Sequence, residues 1–486
     1  MAGAYVINDR EPKKLYRYFE DLAKIPRVTF HEEAASQYVA DFAEERGLWY
    51  CRDRMYNVLI QKEGSKGCEH LPPVLLEGHL DMVGAKEEWS SHNFETDPIE
   101  LIEEGNILRA NGTTLGADNG CAIAIMLALL DDEELIHPPM ECLFTTQEET
   151  GLDGMKGFDV SLIRSRRAIG LDAGSEGVFR MGTTTKIQIT AGLAVKREKA
   201  KGRVYELLVD GLRGGTQGEA IPKGRLCAIK IMFRLLHYLR KKMEIHIADV
   251  SRMGSGIPES CRAVLVLDEE RTAEAEEILM DQQRRIRSEY EDSDPDVRIR
   301  LNEIEDYEGF VLDRASAERL IDSLYLLPWG ARNRSISRRN EVTCSGAVKR
   351  IYTEGDVIRI YYVISSEERE QGEAMEEEVK ACLMLHQWEI EKRELERGWD
   401  KERSSPIRSI LVQSYIELFG KEPIVNVSHG ANDCVVLKHK IPEMDVVTTA
   451  ATYDNCHTPR ECLNMDSFEK VFYLLQRALL NMTKIC

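Results

Sequence analysis

Residues 74–81 read VLLEGHLD, and this stretch decides the fold class because it joins a short apolar strand to a group of polar side chains. An apolar helix is predicted next at Gly120–Leu130, followed by strands at Met140–Thr145 and Ala168–Leu171. Strands that alternate with helices in this way predict an α/β layer with a mostly parallel sheet.

The middle of the chain has longer amphipathic helices between charged strands. Two successive halves each fit the β-α-β-β-α-β pattern of a ferredoxin-like unit, and the first half includes a helix predicted over Gly218–Arg240. The opening strand of the second half, before the helix predicted at Ala315–Tyr325, is weak. We expect residues 1–183 and 398–486 to form one discontinuous domain, interrupted by an inserted lid domain of residues 184–397.

The composition argues against several classes of partner. The formal net charge is −20, from 64 basic and 84 acidic residues, and it repels nucleic acid and anionic lipid. The N-terminus lacks the apolar segment of a signal peptide, and no apolar run approaches the roughly 20 residues that span a bilayer. We therefore expect a cytoplasmic protein with no nucleic-acid or membrane partner.

The polar end of the first strand contains His79 and Asp81. Their spacing predicts that both side chains lie on the same side, because strand residues alternate with a period of two. The carboxylate could then orient the imidazole, as a metal-bound histidine requires. A surface or capping role is the simpler interpretation of this pair taken alone.

The segment TTLGADNG, residues 113–120, places Asp118 between glycines directly before the apolar helix. A helix N-cap is the simpler role for this acid. That role leaves Gly116 and Gly120 unexplained.

Glu148 and Glu149 stand side by side in QEETG, directly after a predicted strand. Adjacent side chains at the end of a strand point to opposite faces, so one acid could bind metal while the other acts as a general base. A solvated acidic turn is the alternative.

Two further segments, GLDAG with Asp172 and CHTPRE with His457, add an acid and a second histidine. Together the motifs offer two histidines and three acidic ligands. This set suits a pair of zinc ions or similar divalent metals.

The ordered motifs GHLDMV, TTLGADNG, QEETG, GLDAG and CHTPRE resemble the co-catalytic zinc peptidase family that includes carnosinases, tripeptidases and acyl-amino-acid deacylases. Within it, the chain is most similar to the bacterial aminoacyl-histidine dipeptidases, over nearly its whole length. The resemblance implies a mixed-sheet catalytic domain interrupted by a lid of two ferredoxin-like units. It also implies a di-zinc metallopeptidase that cleaves dipeptides or short peptides, and a homodimer formed through the lid.

The resemblance assigns the metal ligands residue by residue. It makes Asp118 the carboxylate that bridges both ions. His79 and Asp172 would bind one ion, and Glu149 and His457 would bind the other.

The resemblance also makes Glu148 the general base and Asp81 the support of His79. Water held between two divalent ions loses its proton near neutral pH, Glu148 accepts that proton, and the hydroxide attacks the polarised carbonyl. The bond between Asp118 and Asn119 is expected to be the cis peptide of the family.

Several positions depart from the family pattern in the region expected to bind substrate. Relatives commonly carry Asn in two lid turns that read GSGIP, residues 254–258, and TCSG, residues 343–346, in this chain. Relatives carry a lid histidine in a GGHSG turn, whereas residues 214–218 read GGTQG and place Thr216 there. Near the C-terminus, Asp433 stands where the most similar relatives have a longer Glu. Substrate identity is therefore less constrained than reaction class.

Two alternatives stay open. The same chemistry could act on an N-acyl amino acid or another small amide, which the products from a substrate panel would reveal. The chain could instead be a metal-binding pseudoenzyme, as the loss of the lid histidine favours. Retention of Glu148 and Asp81 opposes that role, because a metal scaffold needs neither a base nor an oriented water.

Overall fold

The computed structural model describes residues 5–172, 175–252, 254, 256–336, 338, 340–399, 404–428, 430 and 432–484, without the side chains of residues 305–308. The helices and strands of these residues are, in chain order, α1 (Lys13–Ala23), α2 (Glu33–Glu45), β1 (Trp49–Arg52), β2 (Val58–Lys62), β3 (Val74–His79), β4 (Leu101–Glu104), β5 (Ile107–Ala110), α3 (Ala117–Leu130), β6 (Met140–Thr145), α4 (Asp153–Gly157), β7 (Arg167–Gly170), β8 (Val178–Thr183), β9 (Thr185–Ala194), β10 (Arg197–Asp210), α5 (Gln217–Ala220), α6 (Ala228–Arg240), β11 (His246–Ser251), β12 (Cys261–Leu267), α7 (Thr272–Glu289), β13 (Arg298–Leu312), α8 (Arg314–Leu326), β14 (Gly330–Ser335), β15 (Glu341–Glu354), β16 (Val357–Ser366), α9 (Arg369–Leu385), β17 (Glu389–Glu396), α10 (Pro406–Phe419), β18 (Ile424–Ser428), α11 (Asp433–Lys440), β19 (Asp445–Thr448), β20 (Tyr453–Asp454), β21 (Cys462–Asn464) and α12 (Met465–Met482).

The chain separates into two compact units. Unit 1 contains residues 1–183 and 399–486, and unit 2 contains residues 184–398. Among the helices of the described residues, none combines the length and the apolar character that a membrane crossing requires.

Unit 1 is built on an eight-stranded mixed sheet in the order β1-β2-β6-β3-β7-β19-β8-β18. The central strands β6, β3, β7 and β19 run parallel, whereas β2 pairs antiparallel with β6, and β8 with β19. Every residue of β3 is buried, and successive side chains enter different cores, with Leu76 in one and Leu75 in the other. Because β6, β3 and β7 are parallel neighbours, their carboxyl ends meet at one edge of the sheet.

The helix predicted from Gly120 shows why that edge is irregular. The hydrogen-bonded element α3 starts at Ala117, but Asp118 and Asn119 have non-helical backbone angles. Regular helix therefore begins at Gly120, as predicted, and the acid before it lies in a loop.

Unit 2 contains two largely antiparallel sheets, one in the order β11-β12-β10-β13 and the other in the order β14-β15-β16-β9-β17. The prediction of two successive halves is wrong in one respect. The second sheet takes its missing strand from β9, which precedes the first half in the chain and pairs with both β16 and β17. The two halves are therefore nested, and β9 is the opening strand of the second half.

The prediction of a single helix over Gly218–Arg240 is also wrong. This segment contains two helices, α5 and α6, which are separated by residues 221–227. Pro222 cannot donate a backbone hydrogen bond, and Gly224 has a left-handed φ of 68°. These two residues end the first helical turn before the amphipathic segment begins.

Candidate metal centre

Three neighbouring strand ends supply most of the polar side chains of the site. His79 is the last residue of β3, Glu148 and Glu149 follow β6, and Asp172 follows β7. The loop that opens α3 contributes Asp118. Ala173 and Gly174 of the fourth motif lie outside the described residues.

The potential ligand atoms form three overlapping groups, within each of which all atoms lie within 4.8 Å of one another. The groups are His79 with Asp118 and Asp172, Asp118 with Glu149 and His457, and His79 with Glu148 and Glu149. His79 Nε2 lies 3.3 Å from Asp118 Oδ1, whereas His457 Nε2 lies 3.5 Å from Asp118 Oδ2. The two oxygens of Asp118 thus face different histidines, as a carboxylate between two ions would.

Buried oxygen atoms in this cluster lack hydrogen bonds. Among the described residues, Asp118 Oδ1 and Glu149 Oε1 are buried and accept none. A buried acceptor without a partner costs about 1–3 kcal/mol, and more when it is charged. A divalent cation would satisfy both atoms, so the donor set fits such an ion.

The protonation of the cluster leads to the same interpretation. Burial and the charge of Asp118 raise the pKa of Asp172 to about 7, and burial raises the pKa of Glu148 to about 10. The adjacent carboxylates of Asp118 and Glu149 raise the pKa of His457 to about 10. Without metal, the cluster therefore holds protons that cations would displace.

Asp81 connects His79 to the loop after β6. The imidazole Nδ1 lies 3.1 Å from the backbone oxygen of Asp81 and 3.5 Å from its Oδ1. The carboxylate also accepts the backbone N–H groups of Glu148 and Glu149, at 3.1 and 3.3 Å. Burial opposes ionisation, but the hydrogen bond and charge of His79 outweigh it and lower the pKa of Asp81.

Strand alternation does not explain this arrangement. The strand β3 ends at His79, so Asp81 lies beyond it. Likewise β6 ends at Thr145, and Gln147 has a left-handed φ of 54°, so Glu148 and Glu149 lie in a turn. The expectation that the two acids point to opposite faces of a strand is therefore wrong. The hydrogen bonds to Asp81 fix them instead.

Glu461 holds the loop that carries Asp118, and sequence reasoning did not assign it a role. Its Oε2 accepts the N–H groups of Leu115 and Gly116 at 2.8 and 3.0 Å, and its Oε1 accepts that of Asp118 at 3.1 Å. Glu461 is the last residue of the CHTPRE segment, but its partners lie about 345 residues away in the chain, so nothing in its local sequence indicates this role.

Arg27 supports the same loop from the other side and explains its glycines. The buried guanidinium donates to the backbone oxygens of Leu80 and Gly116, at 2.8 and 2.6 Å. A Cβ atom at Gly116 or Gly120 would collide with the guanidinium nitrogen Nη2. The peptide bond between Asp118 and Asn119 is cis, as predicted. No motif in the sequence indicated Arg27.

Comparison with known proteins identifies the family. The model of Peptidase family M20/M25/M40 matches residues 75–481. The chain belongs to this peptidase family.

Individual relatives of this peptidase agree with that assignment. The chain is 28% identical to the cytosol non-specific dipeptidase of Escherichia coli over 477 residues, which cover 97% of this chain and 98% of the relative. It is also similar to the crystal structure of aminoacylhistidine dipeptidase from Vibrio alginolyticus, with a TM-score of 0.86, 28% identity and coverage of 97% and 96%. Aminopeptidase PepT from Bacillus cereus shares the fold at 14% identity, with a TM-score of 0.60 and coverage of 96% and 98%.

Asp433 of this peptidase lies deeper than a residue in contact with substrate would be expected to lie. It begins α11, it is 1% exposed, and neither oxygen has a hydrogen-bond partner among the described residues. Burial raises its pKa to about 7, and its charge contributes to the raised pKa of Glu77, whose Oε2 accepts a hydrogen bond from the thiol of Cys434. Its role in substrate binding stays a prediction.

Thr216 belongs to unit 2 of the peptidase. It is exposed, and it precedes α5 without making a side-chain capping hydrogen bond. The two residues before it, Gly214 and Gly215, have left-handed φ values of 56° and 115°. Its expected role in substrate binding also stays a prediction.

Proposed function

We propose that this peptidase hydrolyses dipeptides or other short peptides with two divalent ions, zinc by preference, held by His79, Asp118, Glu149, Asp172 and His457. The observation that carries the proposal is the pair of ligand groups that share Asp118, each with one histidine and a further acid. The two dipeptidases reported above, each similar over nearly the whole chain, support the choice of substrate class. Imidazole and carboxylate ligands support the choice of zinc.

The residues around the ions divide the catalytic work. Bound divalent ions lower the pKa of water and polarise a carbonyl oxygen. Glu148 accepts a proton from the attacking water and passes it to the leaving amine. Its raised pKa belongs to the metal-free cluster, because nearby cations favour the carboxylate form. Asp81 is a positioning residue that holds both His79 and the loop of Glu148.

A substrate panel tests this proposal against its alternatives. Zinc-loaded protein is incubated with dipeptides and with N-acyl amino acids, and both products are identified by mass spectrometry. We expect free amino acids from dipeptides, and loss of turnover after chelation that zinc restores. Turnover of N-acyl amino acids alone would favour the deacylase alternative. Tight zinc binding without any turnover would favour the pseudoenzyme.

The location and assembly of the enzyme are part of the same proposal. The name of the Escherichia coli relative supports a cytoplasmic location. A homodimer through unit 2 is supported by the 15-residue strand β13, which ends the order of its sheet and exposes Ile304. Light scattering on the purified chain measures the assembly.

A further inference from the structure

A cavity of about 530 Å³ in unit 1 opens beside the candidate metal centre. Glu149, one of the proposed ligands, and its neighbour Thr150 line the cavity. Its size falls in the range of small-molecule pockets, which are about 300–1,000 Å³. Because the cavity shares a wall with the metal centre, a molecule bound at the metals has direct access to it.

One wall of the cavity is fixed to the machinery of the centre. Val28 forms a bridge with Met82, and both line the cavity. The hydroxyl of Thr29 donates to Asp81 Oδ2 at 3.0 Å. This wall is therefore held by the same carboxylate that positions His79.

The opposite wall is aromatic. The rings of His92 and Phe94 meet edge to face, with centroids 4.5 Å apart and an interplanar angle of 71°. A Cβ atom at Gly84 would come within 3.0 Å of Val28 and 3.2 Å of Phe94. Glycine at this position thus lets Val28 and Phe94, which both line the cavity, pack closely against the backbone.

Phe30 stands at the opening of the cavity with 66% of its surface exposed. Its φ of 75° is rare for a residue other than glycine and fixes the direction of the side chain. The exposed phenyl ring is available to contact a bound molecule.

We propose that this cavity binds one apolar or aromatic side chain of the peptide substrate, and this inference rests on the proposed function. The walls supply aliphatic and aromatic contacts that release water when such a side chain enters. A charged side chain would lose its hydration against these walls. Besides the proposed metal ligand Glu149, the cavity is lined by Lys86 and Glu95, whose opposite charges give no net preference for an acidic or a basic side chain.

The test compares large and small dipeptides on the zinc-loaded full chain. For wild type and Phe30→Ala, kcat/KM is measured on Gly-Gly and on Phe-Gly, Gly-Phe, Leu-Gly and Gly-Leu. In Phe30→Ala, the ratio of kcat/KM for a large dipeptide to kcat/KM for Gly-Gly should fall about tenfold when the large residue is at one of the two dipeptide positions. Loss of one apolar contact in a specificity pocket typically has an effect of this size. The position affected identifies which residue of the dipeptide enters the cavity.

Two further variants separate the cavity from general effects. Gly84→Val displaces Val28 and Phe94, which line the cavity, and should lower the same ratio, provided that circular dichroism and zinc content match wild type. Trp49→Ala removes another exposed aromatic ring, on the edge strand β1, and should keep the wild-type ratio. An unchanged ratio in both cavity variants would overturn the inference. Absence of dipeptide turnover in wild type would instead overturn the proposed function.

Discussion

The two units differ in the hydrogen bonding of three buried or largely buried carboxylates. In unit 2, Asp294 is completely buried, and each of its oxygens accepts a backbone N–H, from Arg213 and Leu226, at 2.8 Å. In unit 1, Asp433 is also buried, whereas the side chain of Asp118 is 14% exposed, and both leave buried oxygens without a hydrogen-bond partner among the described residues. Satisfied buried acids hold a fold together, whereas unsatisfied ones indicate a missing ligand.

The largest effect should come from the one acid that is assigned proton transfer. Glu148→Gln keeps the size of the side chain and removes the base, so kcat should fall about 10²–10⁴-fold. Zinc content, measured by elemental analysis, should stay near that of wild type. If activity survives with zinc in place, Glu148 is not the base, and Glu149→Gln becomes the next variant to measure.

A second prediction compares two satisfied acids in the two units. Glu461→Gln disturbs three backbone hydrogen bonds in the loop of Asp118, and zinc affinity should fall about 10–100-fold, as for residues that support metal ligands. Asp294→Asn should lower the free energy of unfolding by about 1–3 kcal/mol. Its zinc affinity should not change.

The comparison between these variants uses calorimetric zinc titration and urea unfolding. Equal zinc affinity in Glu461→Gln and wild type would mean that the loop keeps its shape without the carboxylate. Glu461 would then have a role in the fold only, as proposed for Asp294.

The third prediction concerns the position where unit 2 departs from the family pattern. Thr216→His restores the family residue, and in a merely weakened site it should raise kcat on dipeptides by roughly tenfold or more, part of an oxyanion contribution. We expect a smaller change, because neighbouring lid positions such as Gly256 and Gly346 differ as well. Steady-state kinetics on Xaa-His dipeptides measure it. A large gain from this single change would show that the substrate pocket has not been changed to fit a different substrate.

The smallest effect concerns the stability of the metal-free protein. Burial raises the pKa of Asp172 and Asp433 to about 7, above the values of these groups in the unfolded chain. The folded state therefore binds more protons, and stability should be lost as pH rises through 7. We expect Tm of the chelator-treated protein to fall by roughly a few degrees from pH 5.5 to 8.5.

The zinc-loaded protein provides the control for that measurement, because cations replace the protons and the fall should be smaller. Equal pH dependence with and without zinc would contradict the raised pKa values.

The sequence predicted elements best where local pattern decides them. The strand Met140–Thr145 has the predicted bounds, and the regular part of α3 spans the predicted range Gly120–Leu130. The origin of the missing strand in unit 2 could not be predicted, because pairing of β9 with β16 joins segments about 170 residues apart. Periodicity reports which residues are buried but not which distant strand lies beside them.

The site shows the same limit. The sequence motifs predicted the side chains that cluster in the structure, because these side chains lie at strand ends and at the start of a helix, which are local features of the sequence. The roles of Arg27 and Glu461 could not be predicted, because their hydrogen-bond partners are backbone groups far away in the chain. A buried charge that serves a distant loop leaves no pattern in its own neighbourhood.

The most direct test of the central claim is the number of zinc ions bound per chain. Chelator-stripped protein is titrated with zinc, and the folded state is followed by circular dichroism. We predict two equivalents for wild type and fewer than two for Asp118→Asn, because that side chain alone belongs to both proposed ligand sets. A reproducible value near zero in folded protein, or two equivalents of unchanged affinity in Asp118→Asn, would contradict a shared metal centre.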